Sequence, residues 1–237
     1  MRRLPHIECG SRIRVRKMKE KKLIIKTKRL NIYPLSDREI QDLIDNCPDE
    51  GLAAAFGQML EGCRNNPEQR QWYAPWAMET KEDKKRIGTL GFRGPVSENS
   101  VEIGYGIDKE FEGQGYTTEA AKVLLDFAFD GDEVLFVEAE ADENNAASIH
   151  ILEKLGFTRY GQGEEGPRFV KEKPELSYTG IGMCIGTSIG IALGMCVFDN
   201  LAIGLSMGLC IGLCLGAGYD SKVKKKISEI KKNKYGL

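Results

Sequence analysis

The chain has 237 residues, is 41% hydrophobic, and sets 34 Lys+Arg against 35 Asp+Glu for a formal net charge of −1, enough for one sizeable domain and an appendage. The total hides an acidic body between basic ends: residues 1–29 hold twelve Lys/Arg and two acids, residues 219–237 seven Lys and two acids, and residues 30–218 fifteen basic and thirty-one acidic residues. This argues against nucleic acid as partner of the body and for a cationic or amine ligand, while the seven cysteines form no CxxC pair and no Cys/His cluster, so neither a disulfide framework nor a metal site is expected.

Residues 1–22 are basic without the apolar run of a secretory signal and read as a disordered leader, with Met18 as an alternative start. A domain is expected over 23–175. LIIKTKRLNIYPL (23–35) reads as a first strand, and Ser36 with Glu39 as a capping box opening a helix over 37–46. LAAAFGQMLEGC gives a second helix, QWYAPWAMET and RIGTLGFRG two strands across the charged turn KEDKK, and SVEIGYGI (100–107) a further strand. In that strand Val101, Ile103, Tyr105 and Ile107 share one face and Glu102 points to the other. TTEAAKVLLDFAFD has a helical apolar stripe, VLFVEAE is a strand, AASIHILEKL a helix closed by Gly156, and TRYGQG and PRFVKEK two short strands. The order is β-α-α-β-β-β-α-β-α-β-β, an α/β domain. Trp72, Tyr73 and Trp76 are expected to pack the sheet, and His150 to be a half-buried helix residue rather than a catalyst.

After it comes a segment of another kind, 176–219, with a basic tail at 220–237. Gly180–Phe198 and Leu201–Tyr219 are each nineteen residues, about 28 Å of helix against a hydrocarbon core of about 30 Å. Glycine recurs every fourth residue from Gly182 to Gly194 and from Gly204 to Gly216, and Asp199-Asn200 forms a polar tip. Eight glycines in helix interiors imply close packing of the glycine faces. Two readings stand: a two-pass membrane hairpin, preferred, that also associates with copies of itself, or a soluble hairpin that drives oligomerisation. The lysines flanking both helices place the two ends, and the domain with them, on the cytoplasmic side of the membrane.

The chemistry concentrates in EIGYGIDKEFEGQGYTTEA and ADENNAASIHILEKLGF. In the first, a strand runs through glycines directly into a helix, so the amides of Gly113, Gln114, Gly115 and Tyr116 converge on a helix N-terminus suited to phosphate. On its own this is equally a tight turn. In the second, Asn145, Ser148 three residues on, and the ending LEKLGF resemble the acetyl-CoA-binding half of the GNAT superfamily of N-acetyltransferases. The likeness is closest to its ribosomal-protein-alanine (RimJ/RimL) type, and TKRLNIYPLSDREI, IGTLGF and GQGYTTEA fall in that family's order over about 23–175.

The resemblance implies a GNAT acyl-CoA N-acyltransferase fold, an α/β (α+β) arrangement with a mixed central sheet and helices on both faces, here followed by the two-helix glycine-zipper hairpin. It further implies acetyl-CoA as cosubstrate, its pyrophosphate on the amides of 113–117 (Gly113, Gln114, Gly115, Tyr116 and Thr117) and its pantetheine arm between splayed strands 101–107 and 134–139. The backbone of Tyr105 to Ile107 would bond the pantetheine and the acetyl carbonyl, and Asn145 the pantetheine. The chain departs from the family at Glu112, where many members have Gln or Arg, and at Leu152, where many carry a Tyr that protonates the departing thiolate. Ser148 is the matching candidate for that proton, or else a helix-face hydroxyl. Glu102 is the candidate base for the acceptor amine, or else a solvated strand carboxylate. The function read from this is acetyl transfer from acetyl-CoA to a primary amine of a protein N-terminus or small molecule, tethered to the membrane. The alternatives are a catalytically degenerate coenzyme A-binding module and a soluble enzyme.

Overall fold

The structure is a computed structural model that describes residues 23–131, 133–174, 177–197 and 199–237; the predicted leader, 1–22, lies outside the described residues. Eight strands form one mixed sheet in the order β1-β2-β3-β4-β5-β6-β8-β7. They are β1 (Ile25–Lys26), β2 (Leu30–Pro34), β3 (Pro75–Thr80), β4 (Arg86–Phe92), β5 (Ser100–Ile107), β6 (Phe136–Glu140), β7 (Thr158–Gln162) and β8 (Pro167–Glu172). All neighbours run antiparallel except β5 and β6. The helices of the domain are α1 (Asp37–Asp45), α2 (Glu50–Asn65), α3 (Tyr116–Phe129) and α4 (Ala146–Lys154).

Alternation along the strands assigns each helix pair to its face. Leu30, Ile32, Trp76 and Met78 meet Leu124, Ala128 and Leu152 from α3 and α4, whereas Leu35 and Ala77 meet Ile40, Phe56 and Leu60 from α1 and α2. Helices therefore cover both faces of the sheet. The Ser36–Glu39 capping box forms as the sequence spacing predicts, and Asp49 caps α2 through its side chain. Trp76 is fully buried, and Trp72 packs tilted against Phe92 and Phe127 with ring centroids 4.8 and 5.9 Å away. Two strand expectations shorten. Residues 27–29 break the first strand because Thr27 Oγ1 accepts from Leu30 N, closing a turn. Gln71 and Trp72 belong to a 3-10 turn, Pro67–Trp72, opened by the proline.

Behind the domain, α5 (Tyr178–Cys196) and α6 (Leu201–Ile230) form a hairpin. On α5 the buried residues are Gly186, Gly190 and Gly194, and in the apolar part of α6 they are Gly204, Gly208, Gly212 and Gly216. A Cβ on Gly186 would meet the Gly208 carbonyl and stand 2.9 Å from Gly212 Cα, and one on Gly190 would stand 3.0 Å from Gly208 Cα. Bare backbone forms the seam, and the large side chains point away: Ile185 is 56% exposed, Ile211 56% and Leu215 70%. Of the two arrangements open to the glycine faces, within one chain or between copies, the described residues show the first: the faces meet each other across the hairpin.

Helix α6 also passes the end of the apolar pattern at Tyr219 and reaches the sheet. Asp220 caps α5, its oxygens accepting from Tyr178 N at 2.9 Å and Thr179 N at 3.0 Å. Further on, Ile227 and Tyr235 pack on Leu135, Phe136 and Val170, Lys234 Nζ lies 2.8 Å from Glu138 Oε1, and Tyr235 donates to the same oxygen at 2.7 Å. The basic tail is thus part of the domain's own packing.

Candidate active site

Strands β5 and β6 pair only at Ser100–Phe136, Val101–Val137 and Glu102–Glu138. Beyond Glu102 they separate. Arg93 N donates to Glu102 O and Asp108 N to Ile87 O, so the even-numbered residues of β5 spend their backbone groups on β4. By alternation the backbone N–H and C=O of Tyr105 and Ile107 face the gap left by β6, where the resemblance places the pantetheine arm.

A cleft of about 490 Å³ opens at this splay, between the end of β5, the start of α3 and α4. Tyr105, Ile107, Gly113, Gly115, Tyr116 and Thr117 line one side of it, and Asn145 and Ser148 the other. The structure thus gathers eight of the ten candidate residues, drawn from three segments, around one cavity. Gln114 turns its side chain away, donating from Nε2 to Glu110 O at 2.9 Å, while its carbonyl accepts from Arg29 at 3.0 Å. Glu102 lies on the opposite face of the sheet.

The start of α3 fits a pyrophosphate. Gly115 is its N-cap with φ +76°, Gly113 has φ +70°, and no side chain caps the helix, although α1, α2, α4, α5 and α6 all have side-chain caps. The first amides of α3 therefore face the cleft with their donors uncommitted to a capping side chain. A Cβ on Gly106 or Gly113 would meet nothing within 4 Å, so the loop leaves open space beside the backbone. Arg29 braces the loop from outside: it pairs with Glu119 at 2.7 Å and sits 4.1 Å over the Tyr116 ring. Glu112 is exposed on the rim of the cleft.

On the far wall, Asn145 is the N-cap of α4, and its Oδ1 accepts from Ser148 N at 2.9 Å. That oxygen is occupied, so Asn145 has its amide N–H groups to offer a ligand. Ser148 Oγ lies 3.0 Å from the hydroxyl of Tyr105, which is also 3.3 Å from Ser148 O. Burial pushes the Tyr105 phenol up from its usual value, against the opposing effect of the Ser148 bond. Leu152 is 1% exposed and belongs to the core. His150 is exposed and lines the cleft rim, correcting the expectation of half-burial, and Lys154 joins it there unforeseen. Their signal was positional: both lie on the face of α4 that carries Ala147 and Ser148 into the cleft.

Glu102 is the last residue of β5 paired with β6. Its carboxylate is pushed above the usual range by burial and by Glu140 and Glu138, against the pull of Arg93, 3.1 Å away, and Arg168. Among the described residues no cluster of three or more His, Cys, Asp or Glu is placed to hold a metal ion.

Comparison with known proteins agrees with this fold. A family model described as an acetyltransferase (GNAT) domain matches residues 15–158, and one described as a glycine zipper membrane protein matches residues 172–222. The chain is 31% identical over 140 residues to the uncharacterized N-acetyltransferase p20 of Bacillus licheniformis, covering 57% of this chain and 67% of that one. To the uncharacterized N-acetyltransferase YjdG of Bacillus subtilis it is 35% identical over 83 residues, 35% of this chain and 49% of that one, so it spans about half that relative's length. The solved RimL ribosomal L7/L12 alpha-N-protein acetyltransferase in complex with coenzyme A shares the fold, with a TM-score of 0.51 at 16% identity over 63% of this chain and 98% of that one. The chain belongs to the GNAT acetyltransferase family.

Proposed function

We propose that the protein transfers the acetyl group of acetyl-CoA to a primary amine from the cytoplasmic face of a membrane in which its C-terminal hairpin is inserted. The observation that carries the catalytic half is the convergence of the uncapped α3 N-terminus, the splayed β5 edge and the α4 hydroxyl on one cleft. The reaction asks little of side chains. A neutral amine attacks the thioester carbonyl when the two are held in line, and a backbone N–H of the β5 edge stabilises the oxyanion. Glu102, on the face of the sheet away from the cleft, suits a base for the incoming ammonium, and the hydroxyls that line the cleft suit an acid for the outgoing thiolate. The acceptor class is a protein N-terminus or a small-molecule amine.

The membrane half rests on the inside-out hairpin. Its seam is glycine backbone and its surface is Ile, Leu, Met and Val, an arrangement that water disfavours and hydrocarbon accepts. Lysines flank the apolar spans, which supports a cytoplasmic placement of both ends.

Glu102→Gln tests the base. Activity needs the ionised carboxylate, and its raised folded value puts the acid limb of kcat/KM above the usual carboxylate range. The substitution is expected to cost about 10²-fold near neutral pH and progressively less as pH rises and the amine deprotonates itself. The raised value also means that ionising Glu102 costs folding stability as pH climbs through it, so Glu102→Gln should fold at least as stably as wild type at neutral pH. A loss uniform across pH, measured with thiol release, makes Glu102 a structural carboxylate.

A further inference from the structure

The geometry points to Tyr105 as the residue that protonates the departing thiolate, with Ser148 as its hydrogen-bonding support. This rests on the acetyl-transfer reading and names the acid within it. The residue that many relatives use, a tyrosine on α4, is replaced here by Leu152, which is sealed in the core. A phenol nevertheless reaches the cleft from β5. Tyr105 starts on β5 at the splay and spans to α4, where its hydroxyl stands 3.0 Å from Ser148 Oγ, and both residues line the cavity.

Acid strength decides between the two hydroxyls. A phenol, even one that burial holds above its ordinary value of about 10, lies far closer to a thiol at about 8.5 than an aliphatic hydroxyl does. An aliphatic hydroxyl is a far weaker acid and makes a poor sole donor. Ser148 suits the supporting part, in which its O–H donates to the Tyr105 oxygen and stabilises the phenolate as it forms. As the tetrahedral intermediate collapses, the C–S bond breaks and its electron pair stays on sulfur. Sulfur takes the Tyr105 hydroxyl proton, giving free thiol and a phenolate, which solvent water reprotonates before the next turnover. The acceptor nitrogen gives up two protons, one from its ammonium to the base before attack and one from the tetrahedral intermediate to solvent. Sulfur gains one, so the cycle releases one net proton and charge balances.

The test compares Tyr105→Phe, Ser148→Ala and the double variant in thiol release, with coenzyme A affinity measured separately. Tyr105→Phe is expected to lower kcat about 10²-fold with coenzyme A affinity unchanged. Ser148→Ala should lose less, Ser148→Thr should restore most of that loss, and the double variant should match Tyr105→Phe, since the two act as a unit. Replacing Tyr105 with 3,5-difluorotyrosine, whose phenol is more acidic, should move the alkaline decline of kcat downward, a response that packing alone does not give. If Ser148→Ala costs more than Tyr105→Phe, or the fluorinated residue leaves the pH profile unmoved, Tyr105 is not the acid. Full activity in Tyr105→Phe overturns this inference alone. A wild type that binds coenzyme A and acetylates no amine overturns it together with the reading beneath it.

Discussion

Gly115→Asp is expected to weaken coenzyme A binding by one to two orders of magnitude while leaving the protein folded. The residue caps α3 at φ +76°, a region that Asp and Asn enter more readily than other residues with a side chain. A Cβ there has Arg29 Nη2 at 3.7 Å as its nearest neighbour, so the carboxylate gains a cation and clashes with nothing. It also stands where the helix N-terminus and the loop amides would hold a pyrophosphate. Losing one or two charge-assisted hydrogen bonds, at about 1.5–3 kcal/mol each, accounts for that loss at about 1.4 kcal/mol per decade. Gly115→Asn has nearly the same shape without the charge and should lose much less. Titration calorimetry with coenzyme A reads both. Equal affinity in wild type and the Asp variant removes the pyrophosphate from this loop.

The second large effect belongs to the hairpin. Gly208→Val should open it, because the new Cβ would press on the carbonyl of Gly186 and stand close to Gly190 Cα, which are backbone and have no rotamer to yield. Two contributions oppose one another. Removing a helix-interior glycine gains up to about 1 kcal/mol of propensity, less for β-branched Val, whereas overpacking a seam costs about 1–3 kcal/mol. The seam repeats the contact at Gly182, Gly190 and Gly212, so displacing one rung loosens its neighbours. Overpacking therefore wins, and the midpoint of thermal unfolding in detergent should fall. Ile185→Val on the outer face, 56% exposed, is the control and should leave it unchanged. A Gly208→Val variant as stable as wild type would mean that the two glycine faces do not meet.

Signals within a few residues of one another carried most of the fold in the sequence. The Ser36–Glu39 box, the alternation from Val101 to Ile107, the glycine turn into α3 and the Asn145–Ser148 cap all depend on spacing that one segment supplies. Contacts across long separations were not visible. Tyr105 and Ser148 are 43 residues apart, so a phenol meeting that serine needed the splay of β5 from β6 to be known. The docking of Tyr235 on Phe136 and Tyr160 likewise joins a lysine-rich tail to a strand that composition gave no reason to connect. The four-residue glycine period announced two close-packed helices, but it carries no information on whether their partner is the same chain or another. Geometry answers that: the turn at Asp199-Asn200 brings Gly194 against Gly204, and the remaining rungs follow in antiparallel order.

The docked tail also shapes the decisive experiment. Cutting the chain before α5 would strip Ile227 and Tyr235 from the sheet, so loss of activity in such a fragment would not report on the membrane. The full chain is the material to use. Membranes from cells producing it should be washed in high salt, which removes proteins held by surface charge alone, and assayed for amine-dependent thiol release from acetyl-CoA. The account predicts that the activity stays with the washed membranes and enters the supernatant only with detergent. Activity recovered wholly in the salt wash or the soluble fraction would contradict a membrane-inserted acetyltransferase.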